Sequence, residues 1–172
     1  RDADFETLAV VNTHNVGAPQ FQLQQGFQRF WYVEELIQDT RLRLRTPNGG
    51  ETVVAKAKEF LGERDADKPF FLFLHFYDAH TDFTPTDEFR QRFVEPYAGK
   101  LDGRSQQLDG VRKRGETLSE ADLRFLHQMY EAEIAQLDAL LGRFFAWLAE
   151  QHLADDTLIV ITSDHGEEFQ EH

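Results

Sequence analysis

The feature that most constrains the fold is the run PFFLFLHFY at 69–77, which is apolar on both alternating faces apart from His75. A strand of this kind must be covered on both sides, which is typical of a parallel sheet packed between helices. Two other runs rich in β-branched residues, TLAVVN at 7–12 and TLIVIT at 157–162, also predict strands. The chain is therefore expected to place three strands in one sheet.

Helical periodicity predicts two covering helices between these strands. Residues 51–62 have apolar side chains in helical register. Residues 118–151 carry an apolar stripe that repeats every three or four positions, and Ser119 with Asp122 three residues later predicts the capped start. A helix of this length would extend about 45 Å, so we expect a bend or break, with Gly142 as its weakest point.

The resulting order is strand, helix, strand, helix, strand, which predicts an α/β fold with a mostly parallel sheet covered by helices. Residues 13–35 contain Gly, Pro and Asn and read as an irregular segment whose aromatic side chains pack onto the body. Residues 78–115 read as a long loop, a feature that is often functional inside a compact domain. No internal repeat and no second domain is predicted.

Composition narrows the possible partners. Apolar residues make up 41% of the 172 residues and include 16 Phe, so the chain is expected to fold. The formal net charge of −13 argues against nucleic acid and anionic membrane surfaces as partners. With no cysteine, the chain has no disulfide and no thiolate metal ligand. Its longest apolar stretch, Phe70–Tyr77, is too short to span a bilayer, so no membrane segment is predicted.

Aspartate and histidine residues that could bind a metal or transfer a proton follow two of the predicted strands. Asp78 and His80 come after the run at 69–77, and Asp164 and His165 come after the run at 157–162. Because ligands of open α/β sheets bind at the carboxyl ends of the strands, these residues are expected at one shared rim. A carboxylate and an imidazole there can bind one divalent cation through oxygen and nitrogen.

Structural interpretations compete with this one. Asp164 could cap a helix or a turn, and His165 could be a surface histidine. His80 could be a loop histidine with its hydrogen bonds satisfied, and His75 within the apolar strand is interpreted as a core histidine. Glu167 and Glu168 next to the proposed metal turn are interpreted as a solvated acidic face. Gly166 would let the backbone turn away sharply after the Asp-His pair.

Three segments resemble the sulfatase family in their order along the chain. KPFFLFLHFYDAHTDFTP is similar to that family's strand followed by an Asp-x-His segment, an aromatic residue and a proline. The stretch from LSEADLRFLHQMYEAEI to TLIVITSDHGEEFQEH resembles its helix, strand and metal turn. Upstream, LAVVNTHNVGAPQFQLQQGFQRF resembles the stretch that ends in Gln-Gly-Phe.

The resemblance implies an alkaline-phosphatase-like fold and a site built around a divalent cation. It identifies Asp164 and His165 with the family's late metal-binding pair. It identifies His80 with a histidine of the pocket that binds the ester and its leaving oxygen, and His172 could reach the rim of that pocket. The resemblance implies calcium as the first candidate, since the family's cation is often calcium. Because imidazole suits manganese, zinc or iron better, these metals stay open.

Other parts of the family pattern have no counterpart. The nucleophile motif ends in Pro-Ser-Arg after a Cys or Ser that becomes formylglycine, and no Pro-Ser-Arg occurs here. The early Asp pair is also missing, because RDAD lies too close to the next strand. The chain begins without Met, and the family's later lysine would fall beyond His172. We therefore expect residues 1–172 to be an internal part of a single catalytic domain, without the N-terminal nucleophile segment and the C-terminal part, and inactive alone.

The resemblance implies hydrolysis of small-molecule or glycan sulfate esters by the whole protein. Two alternatives stay open. One is phosphodiester or phosphonate hydrolysis, or phosphoethanolamine transfer, within the same superfamily. The other is a non-catalytic binding domain that kept the fold. The oligomeric state and the compartment are not predicted, although members of the family are often exported to the periplasm, the outside of the cell or the lysosome.

Overall fold

The computed structural model describes residues 4–32, 49–80 and 82–170. The chain divides into two compact units, Arg1–Tyr77 and Asp78–His172, called here the first and the second unit. Each unit has its own elements and is described by itself. The prediction that all 172 residues form part of one catalytic domain stays a prediction.

The first unit is organised by a three-stranded parallel sheet. The strands are β1 (Glu6–Val11), β2 (Arg29–Tyr32) and β3 (Phe70–His75), in the order β2-β1-β3. In the register, Val11 pairs with Tyr32 on one side and with His75 on the other. The central strand is fully buried from Leu8 to Val11, as expected for a strand with a neighbour on each side. This sheet confirms the predicted α/β class with parallel strands.

The segment predicted to be irregular contains more regular structure than expected. It holds the short helix α1 (His14–Gly17), a 3-10 turn at Pro19–Phe21 and the strand β2. The backbone N–H of Gln28 donates to the carbonyl oxygen of Thr7 at 2.8 Å, which brings the chain alongside β1 just before β2 begins. A four-residue strand is too short for a periodic pattern, and its pairing comes from β1, so the sequence alone does not predict it.

Helix α2 (Gly49–Gly62) confirms the helix predicted at 51–62. Its buried face consists of Val53, Val54, Ala57, Phe60 and Leu61. Among the aromatic residues of the segment 13–35, Phe27 packs on the sheet as predicted, because its ring stacks on that of Phe71 with 6.1 Å between centroids. Phe21 does not, since it is 48% exposed.

In the second unit, the segment predicted as a long loop contains two helices. They are α3 (Asp87–Phe93) and α4 (Ser105–Lys113). The prediction of loop across 78–115 was therefore wrong for these residues. Both helices are short and each buries a single residue, Phe89 in α3 and Val111 in α4. A short and mostly polar helix with one buried residue gives too weak a pattern to be recognised in the sequence.

Helix α5 (Glu120–Glu150) is one continuous helix of 31 residues. Its start is the predicted capping box, in which Ser119 accepts from the N–H of Asp122 and the Asp122 carboxylate accepts from the N–H of Ser119. The expected break at Gly142 does not occur, because helix residues on both sides bury apolar side chains such as Leu140 and Phe144. None of the helices described in the structure is long and apolar enough to cross a bilayer.

The core of the second unit is aromatic. Its buried cluster combines three residues from the N-terminal half of α5 with two phenylalanines from outside that helix. The members are Phe125, Leu126 and Met129 of α5, Phe83 and Phe169. The last of these comes from the turn that follows Asp164 and His165. The core therefore reaches from the segment after His80 to the segment after the Asp-His pair.

The strand predicted at 157–162 is not formed. These residues lie outside any helix or strand, and Leu158, Val160 and Ile161 are 89%, 75% and 69% exposed. A strand needs a neighbour for its backbone N–H and C=O groups. The described residues of the second unit form helices, turns and loops, so this run has no strand beside it within that unit.

Replacement by alanine is expected to change the free energy of unfolding in opposite directions at two glycines. Gly142 lies inside α5, and a Cβ there would meet open space. Gly115 lies in the turn just after α4 and has φ +63°, and a Cβ there would also meet open space. Its N–H donates to the carbonyl oxygen of Arg112, and the next N–H donates to that of Val111. We expect Gly142→Ala to raise the free energy of unfolding by about 1 kcal/mol, because alanine favours helix. Gly115→Ala should lower it by about 1 kcal/mol, because the left-handed conformation disfavours a Cβ.

The measurement is urea unfolding of the two variants beside the unsubstituted chain. A matched loss of stability in both would show that Gly142 is required by something other than helix propensity. A gain in both would show that the turn at Gly115 adjusts to a right-handed conformation.

Candidate functional site

His80 lies in a short turn with a strained backbone. The residue before it, Ala79, has φ +66°, in the left-handed region that costs a non-glycine residue about 1–2 kcal/mol. Strain of this kind persists only when the surrounding contacts fix the chain, and it occurs often at functional sites. The strained turn therefore agrees with a functional reading of the Asp-Ala-His segment.

The chain after His80 is held by three hydrogen bonds, in each of which a backbone N–H is the donor. The N–H of Phe83 donates to the carbonyl oxygen of Gly103 at 2.9 Å, and the carboxylate of Asp82 accepts from the N–H of Ser105 at the start of α4. The N–H of Thr84 donates to the carboxylate of Glu133 on α5 at 2.6 Å. Glu133 is 6% exposed, so a buried carboxyl group of α5 holds this loop in place.

The contact with Gly103 requires glycine. Its φ is +81°, and a Cβ there would lie 2.7 Å from the carbonyl oxygen of Phe83. Both the conformation and the space exclude a larger residue. The position of the loop after His80 thus depends on a glycine 23 residues later in the sequence.

The predicted metal pair occupies an exposed turn. The N–H of His165 donates to Asp164 Oδ1 at 3.0 Å, which orients the carboxylate. Asp164 Oδ2 lies 3.7 Å from His165 Nε2, and the two side chains are 87% and 65% exposed. The φ of Gly166 is outside the left-handed region and a Cβ there would meet open space, so the turn does not use the freedom expected of this glycine.

The ring of His165 is oriented by the backbone. Its Nδ1–H donates to the carbonyl oxygen of Gly166 at 2.7 Å. This hydrogen bond raises the pKa of His165, and the charges of Asp164 and Glu167 raise it further. In the neutral ring the same hydrogen bond leaves the lone pair on Nε2, the nitrogen that faces Asp164. A backbone carbonyl commonly orients a metal-binding histidine in this way.

The pair fits a divalent cation. Two ligand atoms on one ion, with bonds of about 2.1 Å, can lie at most about 4.2 Å apart, and the 3.7 Å between Oδ2 and Nε2 is within that limit. Both side chains are exposed enough to be approached. Among the residues that the structure describes, no cluster of three or more His, Asp or Glu side chains is placed to hold a metal.

A set of four aromatic rings, called here the aromatic cluster, joins the two predicted segments. Its members are Phe83, His127, Tyr130 and Phe169. The rings of Phe83 and Phe169 stack with 5.7 Å between centroids, and the ring of His127 lies 4.1 Å from Phe169. Next to it, the side chain of Gln170 accepts from the N–H of Leu118 at 3.0 Å, just before α5. The turn after the Asp-His pair is therefore anchored at its far end.

This packing brings His80 to the acidic turn. The Nδ1 atom of His80 lies 3.9 Å from Glu167 Oε1, with the Glu167 side chain only 17% exposed. Glu168, the next residue, is exposed. The interpretation of both acids as a solvated face therefore does not describe Glu167. The sequence offered no signal for this contact, because its two residues are 87 positions apart.

The predicted site residues are thus placed as follows. His80, Asp164 and His165 all lie in the second unit. His80 contacts Glu167, which is two residues after His165 in the same turn. Tyr77 ends the first unit and no strand ends at Ser163, so the shared rim stays a prediction. His172 lies outside the described residues. The roles of all four predicted residues stay predictions.

The parallel α/β sheet agrees with the alkaline-phosphatase-like class of fold that the sequence predicts. The family model Sulfatase matches residues 1–172. The chain belongs to the sulfatase family.

Relatives support the same assignment. The chain is 32% identical over 139 residues to the multifunctional alkaline phosphatase superfamily protein PehA of Trinickia caryophylli, covering 68% of this chain and 27% of that protein. It is 26% identical to an arylsulfatase of Clostridium perfringens, over 70% of this chain and 27% of the relative. It is 28% identical to steryl-sulfatase of Rattus norvegicus, over 70% of this chain and 15% of the relative. The matches span about a quarter or less of each relative.

Proposed function

We propose that this chain forms the part of a sulfatase that binds a divalent cation and assists departure of the alcohol from a sulfate ester. Asp164 and His165 would hold the cation, with calcium as the first candidate and manganese or zinc as alternatives. A bound cation would supply positive charge that offsets the developing charge on the ester oxygens. The nucleophile would come from outside these residues.

His80 would act on the leaving oxygen. Its Nε2–H would donate a proton to that oxygen as the sulfur–oxygen bond breaks, and the imidazole would stay beside Glu167 through Nδ1. General acid assistance of this kind typically contributes 10²–10⁴-fold in rate. Asp164 would serve as a charged ligand, and the backbone contact between His165 and Gly166 would keep Nε2 directed outward.

The observation that carries the proposal is the stacking of Phe83 on Phe169. Phe83 is three residues after His80, and Phe169 is four residues after His165. Their ring centroids lie 5.7 Å apart, so the segments with the predicted acid and the predicted metal ligands are fixed to one cluster.

A second candidate is hydrolysis of a phosphate or phosphonate ester. The observation that favours it is the imidazole of His165, which suits manganese, zinc or iron better than calcium. The similarity to a multifunctional alkaline phosphatase superfamily protein also supports this second candidate.

The test compares four substrates that share one leaving phenol: a sulfate, a phosphate monoester, a phosphodiester and a phosphonate monoester. The whole protein is expected to show its highest kcat/KM with the sulfate, and chelation should remove the activity until cation is returned. A preference for a phosphorus ester would select the second candidate. Binding without turnover of any substrate would identify a non-catalytic domain.

The same assay with the 172-residue chain alone is the matched control. We expect no turnover and weak cation affinity, because two ligands cannot complete a shell of four to eight. Turnover of the aryl sulfate by the chain alone would contradict the assignment of the nucleophile to another part of the protein.

A further inference from the structure

Glu167 differs from the acids around it. Its side chain is 17% exposed, whereas that of Asp164 is 87% exposed. It lies between the Asp-His pair and Phe169, which is 7% exposed. The aromatic cluster therefore holds this carboxylate against the body of the second unit rather than in solvent.

The atom that Glu167 faces is informative. Glu167 Oε1 lies 3.9 Å from Nδ1 of His80, an ion-pair distance that is longer than a hydrogen bond. Catalytic contacts are often long without substrate and shorten when it binds. Because the two ring nitrogens of histidine lie on different sides, a carboxylate that holds Nδ1 turns Nε2 away from itself.

We propose that Glu167 is a positioning residue for His80: it holds the Nδ1–H of the ring and so directs Nε2 toward the leaving oxygen. This inference rests on the proposed role of His80 as the acid. In the proposed step the proton leaves Nε2 for the oxygen of the departing alcohol, while the proton on Nδ1 stays between the ring and the Glu167 carboxylate. The neutral ring left behind is then the Nδ1–H tautomer, which the carboxylate stabilises.

The first test reads the tautomer directly and needs no activity. In ¹⁵N NMR spectra of the whole protein, neutral His80 is expected to carry its proton on Nδ1. Glu167→Ala should transfer most of the proton to Nε2, which neutral imidazole side chains favour in water. Glu168→Ala removes the adjacent exposed carboxylate and should leave the spectrum unchanged. A His80 tautomer that is the same in all three proteins would overturn the inference.

The second test uses aryl sulfates whose leaving phenols differ in pKa. Glu167→Gln preserves size and is expected to lower kcat by about 10- to 100-fold for phenols of high pKa, as loss of an orienting partner commonly does. The effect should be much smaller for phenols of low pKa, which depart without an acid. Metal content and melting temperature should be unchanged. An equal loss for every phenol would indicate a merely structural role and would overturn the inference.

A double variant separates the two proposals. Adding Glu167→Gln to His80→Ala should cause no further loss, because a positioning residue acts through the group that it positions. An additive loss would contradict the inference while leaving the proposed function intact. Loss of the tautomer preference in Glu167→Ala, in a protein that hydrolyses no sulfate ester, would instead support the pairing and remove the proposed function.

Discussion

Replacing Asp164 with alanine is expected to abolish turnover in the whole protein without unfolding it. The side chain is 87% exposed, and its carboxylate accepts a hydrogen bond from the N–H of the next residue, His165. Removing it takes away a negatively charged oxygen ligand and leaves His165 as the only other proposed ligand in this turn. Metal content by elemental analysis should fall together with kcat, while the melting temperature should change little.

Asp156 offers a matched control. It is also an exposed aspartate in the same C-terminal stretch, and it has no proposed role. Asp156→Ala should keep both metal and rate. If Asp164→Ala also keeps full metal and full rate, the Asp-His turn is only a turn, and the functional interpretation of these residues fails. If it unfolds the protein, the carboxylate serves the fold.

The parts of the fold that were predicted are those with long or doubly apolar patterns. The run at 69–77 and the helix at 51–62 were located within two residues of β3 and α2. The capping box of α5 was also read correctly, because Ser119 and Asp122 act within one turn of the chain. In each case the information that determines the element is local.

The parts that were missed depend on distant partners. Strand β2 has four residues and forms because β1 is beside it. The run at 157–162 has an ideal strand composition, but no strand lies beside it within the second unit as described. Intrinsic β preference describes a fit to a pleated surface and cannot supply that surface.

The candidate site shows the same division. Asp164, His165 and His80 were chosen because their residue types and positions after apolar runs are unusual. Glu167 was interpreted as solvated, because acids in a charged stretch usually are. Its burial depends on Phe169 entering the aromatic cluster beside Phe83, an event that involves residues 86 positions apart. The candidate residues were thus recognisable in the sequence, whereas the contact between His80 and Glu167 was not.

His80→Ala is expected to give the second large effect and to differ in kind from Asp164→Ala. The ring is 41% exposed and lies beside Glu167, so its removal should not disturb the fold. If His80 protonates the leaving oxygen, kcat should fall by about 10²–10⁴-fold while metal content stays unchanged. The loss should be largest for phenols of high pKa, because these depend most on an acid.

Imidazole added to the His80→Ala variant provides the decisive control. A small acid that enters the space left by the ring should restore part of the rate for phenols of high pKa, and it should restore nothing in Asp164→Ala. A fall in metal content in the histidine variant would make His80 a ligand rather than an acid. Full activity would make it an ordinary loop histidine. Because the variant keeps Ala79 and changes only the side chain at position 80, a loss of rate that imidazole restores is assigned to the ring itself.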